Sequence, residues 1–78
     1  MPRYFFDCHK AASITIDDEG EELPNIEAAR SHAIVVLADC IREVADSPAD
    51  GSVTVEVRDV AGSSFTITAA IRMEQARD

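Results

Sequence analysis

The stretch SVTVEVRDVAGSSFTITAAIRM, residues 52–73, decides the fold. Over 53–58 valine alternates with polar residues, and over 65–73 apolar residues alternate with small or polar ones. Because successive side chains of a strand point to opposite faces, each half predicts a strand with one apolar face. Residues 59–63, with Gly62 free to adopt a positive φ, predict the turn between them. The C-terminal third is therefore predicted to be an antiparallel hairpin.

The segment before this hairpin repeats its apolar residues at steps of three and four, which is the period of an α-helix. Asn25 is suited to the N-cap, because its side-chain oxygen can accept from the free amides of the first turn. Pro48 and Gly51, with Ser47 and Asp50 beside them, predict the end of a helix of about 21 residues. The apolar positions are Ile26, Ala29, Ala33, Val36, Leu37, Cys40, Ile41 and Val44.

The chain begins with MPRYFFDCHK, residues 1–10, which holds three of its four aromatic residues side by side. Residues 3–9 predict a strand whose even positions, from Tyr4 to Cys8, are the more apolar and face the core. Residues 13–17 predict a second strand, whose two isoleucines alternate with polar residues. The two segments predict an N-terminal hairpin.

The predicted order of strand, strand, helix, strand, strand indicates an α+β fold: a two-layer ββαββ domain with a four-stranded antiparallel sheet and one helix packed on one face. The 78 residues leave room for one domain, which we expect over residues 1–74, with a frayed tail over 75–78. No segment is predicted to cover the second face of the sheet. That face is expected to display Phe5, Asp7, His9, Thr15, Thr54, Glu56, Arg58, Thr66, Thr68, Ala70 and Arg72.

The charge of the chain argues against several classes of partner. Fifteen acidic residues against seven basic ones give a formal net charge of -8, which repels nucleic acid and anionic membranes. The longest apolar run, 33–38, is far shorter than the roughly 20 residues of a membrane span, and the N-terminus lacks the apolar core of a signal peptide. We therefore expect a cytoplasmic protein. In that compartment Cys8 and Cys40, which can form at most one disulfide, are expected to be small buried apolar residues; a redox link between the strand cysteine and the helix cysteine is the alternative.

The acidic stretch DDEGEE, residues 17–22, suggests a calcium loop, but its register does not fit. With Gly20 at the sixth loop position, Thr15 and Ile26 would occupy the first and twelfth positions, where carboxylates are needed. A solvated acidic loop before the helix is the better interpretation. We expect no metal site, since Cys8 and His9 point to opposite faces of a strand. No nucleophile elbow or phosphate-binding glycine loop is present, so we expect no catalytic residues and no cofactor.

Three stretches resemble a family of small uncharacterised bacterial proteins that form a domain of unknown function. They are PRYFFD at 2–7, DDEGEELPNIEAAR at 17–30 and VEVRDVAG at 55–62. The family pattern opens with PRYFFD and continues with Asp-x-x-Gly-x-Glu-Leu-Pro, an alanine-rich helix and a Val-x-Val-x-Asp-x-x-Gly hairpin. Its members often carry an Asp-Gly turn after the first strand, whereas Lys-Ala-Ala-Ser follows His9 here. The resemblance implies the architecture and a bacterial cytosolic setting, and it implies no activity.

The open face suggests a non-enzymatic binding or assembly module that associates through this face or through an edge strand. Phe5 is its one large apolar residue, surrounded by threonines and other small side chains. We expect a homodimer, since symmetric dimers are the commonest assembly. A simpler alternative is that neighbouring side chains half-bury Phe5. The predicted interaction surface consists of Phe5, Asp7, His9, Thr66, Thr68 and Ala70.

A second hypothesis is a regulatory role. A small acidic protein can mask a basic protein partner, as an antitoxin-like inhibitor or a nucleic-acid mimic does, and residues 17–22 would then make the contact. Binding of RNA through Phe5 is disfavoured, because Arg3, Arg58 and Arg72 are the only cations expected on that face and the net charge repels a polyanion.

Overall fold

The α+β class predicted from the sequence is confirmed by a computed structural model, which describes residues 1–11, 13–46 and 51–76. One helix packs against an antiparallel sheet. The elements are strands β1 (Arg3–Lys10), β2 (Ser13–Thr15) and β3 (Glu21–Glu22), helix α1 (Ile26–Glu43) with a short 3-10 turn (Val44–Asp46), and strands β4 (Gly51–Asp59) and β5 (Gly62–Ile71).

The sheet runs in the order β2-β1-β4-β5, and β3 pairs with the first two residues of β1. The sheet therefore has five strands, one more than the four that the sequence predicts. The additional strand consists of two glutamates from the stretch expected to be a solvated loop. Its neighbour Leu23 donates its backbone N–H to the carbonyl of Pro2 at 3.0 Å. Strand pairing thus anchors the end of the acidic loop to β1.

The apolar core lies between α1 and the face of the sheet that the alternation predicts. The Phe6 ring meets the His32 ring of the helix edge to face, with the ring centroids 4.8 Å apart. Packing of the helix on the even positions of β1 is confirmed. The buried apolar residues are Tyr4, Phe6, Cys8, Ala29, Ala33, Leu37, Cys40, Val53, Val55 and Val57.

Helix α1 starts where the sequence predicts. The Asn25 side chain accepts the backbone N–H of Ala28 at 2.9 Å, which is the expected N-cap bond. The α-helix ends at Glu43 and the 3-10 turn follows, so the regular part is shorter than predicted. Of the residues expected to end the helix, those within 47–50 lie outside the described residues, and Gly51 is the first residue of β4. Within the described part of the chain, the helix lacks the length and apolar character to cross a membrane.

Cys8 and Cys40 are both buried, as predicted, and the structure joins them in a disulfide. Their Cα atoms are 6.7 Å apart, and 32 positions separate them in sequence. The structure thus has the alternative, a link between the strand and helix cysteines, and not the favoured pair of free thiols. Cys8 faces the helix from β1 and Cys40 faces the sheet from α1, so the two core positions meet in the same layer. The bond ties the C-terminal half of the helix to the sheet.

The register of β2 differs from the expectation for its isoleucines. Residues directly opposite each other share a face of the sheet, and Ile14 lies opposite His9 while Thr15 lies opposite Cys8. Ile14 therefore lies on the open face and Thr15 on the helix side, the reverse of the prediction. The pairing of Lys10 with Ser13 closes the hairpin tightly and fixes this register. Ile14 remains 58% exposed, and Ile16 remains 60% exposed.

Candidate interaction surface

The acidic loop covers part of the sheet face that was expected to be open. Asp7 lies beneath this loop and is only 2% exposed. It is paired with Arg58, whose Nε lies 2.6 Å from Asp7 Oδ2 and whose second nitrogen, Nη2, lies 3.2 Å from Asp7 Oδ1. The assignment of Asp7 to an uncovered surface is therefore wrong.

Arg58 connects the sheet to the loop as well as to Asp7. Its Nη2 donates to the backbone carbonyl of Asp17 at 2.8 Å, while the backbone N–H of Asp17 donates to Asp7 Oδ1 at 2.9 Å. The guanidinium also stands over the Phe5 ring, 4.8 Å from its centroid. These four residues, Phe5, Asp7, Asp17 and Arg58, are called the loop latch below. They hold the loop on the sheet.

The Asp17 side chain organises the loop itself. Its Oδ1 accepts the backbone N–H groups of Glu19 and Gly20, each at 3.1 Å. Its Oδ2 accepts the N–H of Phe6 at 3.1 Å, and so replaces a strand partner at a point where β1 has none. An aspartate that bonds to amides two and three residues on is a recurrent turn device. This carboxylate faces inward and is not available to a ligand.

Both latch carboxyls have a pKa below the ordinary value of 3.8. For Asp7, burial raises the pKa, but the hydrogen bonds from Arg58 and from the Asp17 backbone, with the positive charge of Arg58, outweigh burial. For Asp17, burial again raises the pKa, and the backbone hydrogen bonds from Gly20, Phe6 and Glu19 lower it by more. Both groups are therefore ionised at neutral pH. Their arrangement stabilises a fold and does not suggest a proton donor.

Gly20 fits the loop onto Phe5. Its φ is 75°, in the left-handed region, and a Cβ added there would lie 2.9 Å from Cε2 of the Phe5 ring. Phe5 is consequently half-buried between Gly20 and Arg58. It therefore belongs to the latch and is not an exposed centre of the open face.

Gly20→Ala is expected to destabilise the fold by about 1–2 kcal/mol, because an alanine resists the left-handed conformation and its methyl group would press on Phe5. The measurement is urea unfolding followed by circular dichroism. Gly51→Ala is the matched control, since a Cβ at Gly51 meets no atom within 4 Å. An equal loss in both variants would contradict the close approach of Gly20 to Phe5.

The remaining predicted surface residues lie away from the latch. His9 is half-buried, with Nε2 3.5 Å from Glu56 Oε1 and without a hydrogen bond. Thr66, Thr68 and Ala70 are exposed on β5, and the Thr68 hydroxyl lies 2.8 Å from the hydroxyl of Thr54 on β4. The structure thus divides the six predicted residues into two groups. Phe5 and Asp7 act within the fold, while His9 and the β5 residues remain on the surface.

The backbone groups of β5 that face outward can be found by following the alternation of hydrogen bonds from β1 through β4 to β5. The N–H of Phe6 and the carbonyl of Pro2 point toward Asp17 and Leu23, so the even positions of β1 bond away from β4. Antiparallel partners bond at alternate positions. Odd positions such as Asp7 therefore bond to β4, where Glu56 is the partner of Asp7.

The hydrogen bonds of β4 alternate in the same way, with even positions bonded to β1 and odd positions bonded to β5. Among the odd positions, Val55 lies opposite Ile67. The backbone groups of Thr66, Thr68 and Ala70 consequently point outward from β5. Among the strands of the described residues, none pairs with this outer side. Within the described residues, the sheet ends there in a row of backbone donors and acceptors without a strand partner.

Sequence reasoning did not assign Asp17 and Arg58 to the loop latch, and it did not find the close approach of Gly20 to Phe5. Two signals point to them once the strands are placed. Asp17-x-x-Gly20 is typical of a turn closed by an aspartate side chain. Arg58 and Asp7 occupy neighbouring positions on one face of the paired strands β1 and β4, where opposite charges attract.

The arrangement offers little to a metal ion. In residues 1–11, 13–46 and 51–76, no group of three or more histidine, cysteine, aspartate or glutamate side chains is placed to hold one. What the surface does offer is a free strand edge next to a face of small polar side chains. Such a surface can add a strand from another chain.

Comparison with known proteins gives a family without an assigned activity. The family model of a domain of unknown function, DUF6894, matches residues 3–70. Searches of curated proteins and of solved structures find no match. The match includes all the strand and latch residues described above apart from Ile71, the last residue of β5. The chain belongs to the DUF6894 family of domains of unknown function.

Proposed function

We propose that the protein is a small, non-enzymatic assembly module that forms a homodimer through its sheet. The observation that carries the proposal is the composition of β5. All ten of its residues are uncharged, in a chain with a net charge of -8. Exposed edge strands are ordinarily protected by charges, proline or extreme shortness, because they pair readily with other chains. An unprotected edge is typical of a strand that is covered by a partner.

The two edges of the sheet support the proposal by their contrast. On the side of β1, the edge consists of the three-residue β2, the two-residue β3 and the loop that joins them. Its short strands and exposed carboxylates leave no continuous strand to pair with. On the other side β5 forms a regular edge over 65–71, after the register shift at Val57/Arg58 in its pairing with β4. Self-association therefore needs the β5 side of the sheet, through its edge or through the adjoining open face of His9, Thr66, Thr68 and Ala70.

Sedimentation velocity tests the proposal, from about 5 to about 200 micromolar, a range that suits the affinity of a small interface. We expect a concentration-dependent species of twice the 8.5 kDa chain mass. The association should persist in high salt, because the contact carries no charge. A protein that remains monomeric throughout would contradict the proposed function.

A second candidate function rests on the acidic loop. With the Asp17 carboxylate turned inward, Asp18, Glu19, Glu21 and Glu22 remain exposed on a loop that the latch holds in place. In this alternative the protein masks a basic protein partner. Pull-downs from bacterial lysate at low and high salt distinguish it, since charge-based binding weakens steeply with salt. Failure to retain a basic protein at low salt would count against it.

The proposal includes a bacterial cytoplasmic location, supported by the acidic composition and by the family resemblance. In that compartment the thiol pool would act on the Cys8–Cys40 bond. Cell fractionation together with alkylation of free thiols would establish both the location and the redox state. Recovery in the periplasm or the medium would contradict this part of the proposal.

A further inference from the structure

The proposed self-association leaves open which surface pairs, and the structure favours the β5 edge over the open face. The backbone N–H and C=O groups of Thr66, Thr68 and Ala70 point outward along this edge. A buried face of threonines would gain little from stacking, because the hydroxyls would have to be desolvated. An edge pair instead satisfies the free backbone groups with hydrogen bonds.

The sequence of β5 is complementary to itself in the antiparallel direction. With Thr68 opposite Thr68 of a second copy, Thr66 lies opposite Ala70 of that copy, and the reverse. All three outward positions then form hydrogen-bonded pairs in a closed two-fold arrangement. No side chain in this strand is charged, so no like charges meet across the axis.

The helix side of β5 gains from the same pairing. Phe65, Ile67, Ala69 and Ile71 point to that side and are only half-buried within one chain. The register centred on Thr68 sets Phe65 against Ile71 of the second copy and Ile67 against Ala69 of the second copy. Each pair combines a larger with a smaller side chain, and pairing buries apolar surface that is exposed to water in the single chain.

We propose that two copies join β5 to β5 antiparallel about a two-fold axis at Thr68, which creates one sheet in the order β2-β1-β4-β5-β5-β4-β1-β2. This inference rests on the proposed self-association and specifies its partner surface. Both helices then lie on the same side of the extended sheet. The loop latches lie far from the axis, on the outer strands.

Complementary charges at Thr68 test the register. Thr68→Glu and Thr68→Lys each place two like charges opposite each other across the axis. Each is expected to weaken the homodimer about tenfold or more. An equimolar mixture of the two variants should restore a dimer, now a heterodimer, because opposite charges meet. Native mass spectrometry identifies the mixed species by its mass.

Thr54→Glu and Thr54→Lys are the matched controls. Thr54 adjoins Thr68 on the same face but lies on β4, one strand spacing of about 4.8 Å further from the edge. Edge pairing predicts that the Thr54 variants dimerise like the wild type. Equal disruption by charges at Thr54 and at Thr68 would show that the open face is the interface.

The outcomes separate this inference from the proposed function. A wild-type protein that is monomeric at about 200 micromolar contradicts both. A wild-type dimer that persists in Thr68→Glu and in Thr68→Lys contradicts only the β5 pairing. Far-ultraviolet circular dichroism confirms that each variant is folded. Ala70→Glu provides a second edge variant; because its carboxylate would lie opposite Thr66 of the second copy, we expect it to weaken the dimer less than Thr68→Glu does.

Discussion

Reduction of the Cys8–Cys40 disulfide is expected to lower the free energy of unfolding by about 4 kcal/mol, given the loop that it closes. The bond spans 32 positions, and opening it releases that constraint from the unfolded chain. Both sulfurs are buried, so the reduced cysteines still fill the core as small apolar residues. We therefore expect the reduced protein to fold, with a much lower midpoint in urea.

The measurement is urea unfolding of the oxidised and the reduced protein, with thiols counted by alkylation under denaturing conditions. A double variant, Cys8→Ala with Cys40→Ala, is the control, because reductant should leave its stability unchanged. If reductant lowered the urea midpoint of the double variant as well, the loss of stability would have a cause other than the disulfide. Identical curves for the oxidised and reduced wild type would contradict a stabilising bond between helix and sheet.

Asp7→Ala is expected to cost about 3 kcal/mol at neutral pH, because it removes a buried acceptor of three hydrogen bonds, two of them from a cation. The Asp17 backbone N–H loses its partner, and the Arg58 guanidinium loses its counter-charge. The loop between β2 and β3 should then leave the sheet. Loss of the upfield ring-current shift that the Phe5 ring imposes on the Arg58 side-chain protons would report this step in proton NMR.

The same interaction predicts a specific dependence of stability on pH. The pKa of Asp7 lies below 3.8 in the folded protein, so its contribution is fully present above about pH 5 and is lost as the pH falls through 3.8 and below. The difference in unfolding free energy between wild type and Asp7→Ala should shrink over that range. Asp7→Asn, which retains an acceptor for the Asp17 amide, should lose less. A difference that stays constant down to pH 2.5 would exclude an ionised Asp7 as the source of the stability.

The parts of the fold that follow from periodicity are predictable from the sequence. The alternation over 53–58 and 65–73 defines the hairpin of β4 and β5, and the three- and four-residue spacing from Ile26 defines α1. These patterns reflect burial against a common core, so each segment carries its own signal. The N-cap at Asn25 follows from local chemistry for the same reason.

Features that depend on contacts between segments were not predictable. Ile14 follows an apolar alternation, yet the tight pairing of Lys10 with Ser13 sets it on the open face. The latch unites Asp7, Asp17 and Arg58 from three distant segments, and none of them carries a local signal for burial. Acidic residues usually remain in water, so the expectation for Asp7 was exposure. An ion pair, visible only once β1 and β4 are in register, reverses it.

The interaction surface was predictable in part. The small and polar residues of β5 were placed on the surface by alternation alone, and the structure keeps Thr66, Thr68 and Ala70 exposed. Phe5 was predicted to lie in the interaction surface because a large aromatic ring on an open sheet face is unusual. The ring is half-covered by Arg58 and Gly20 instead. The free edge became apparent only from the order of the strands.

Amide hydrogen exchange at single-residue resolution tests the β5 pairing most directly. The N–H groups of Ile67 and Ala69 bond to β4 within one chain and should be protected at every concentration. Those of Thr66, Thr68 and Ala70 should exchange rapidly in dilute protein and become protected as the dimer forms. Rapid exchange of these three amides at concentrations where sedimentation shows a dimer would contradict association through the β5 edge.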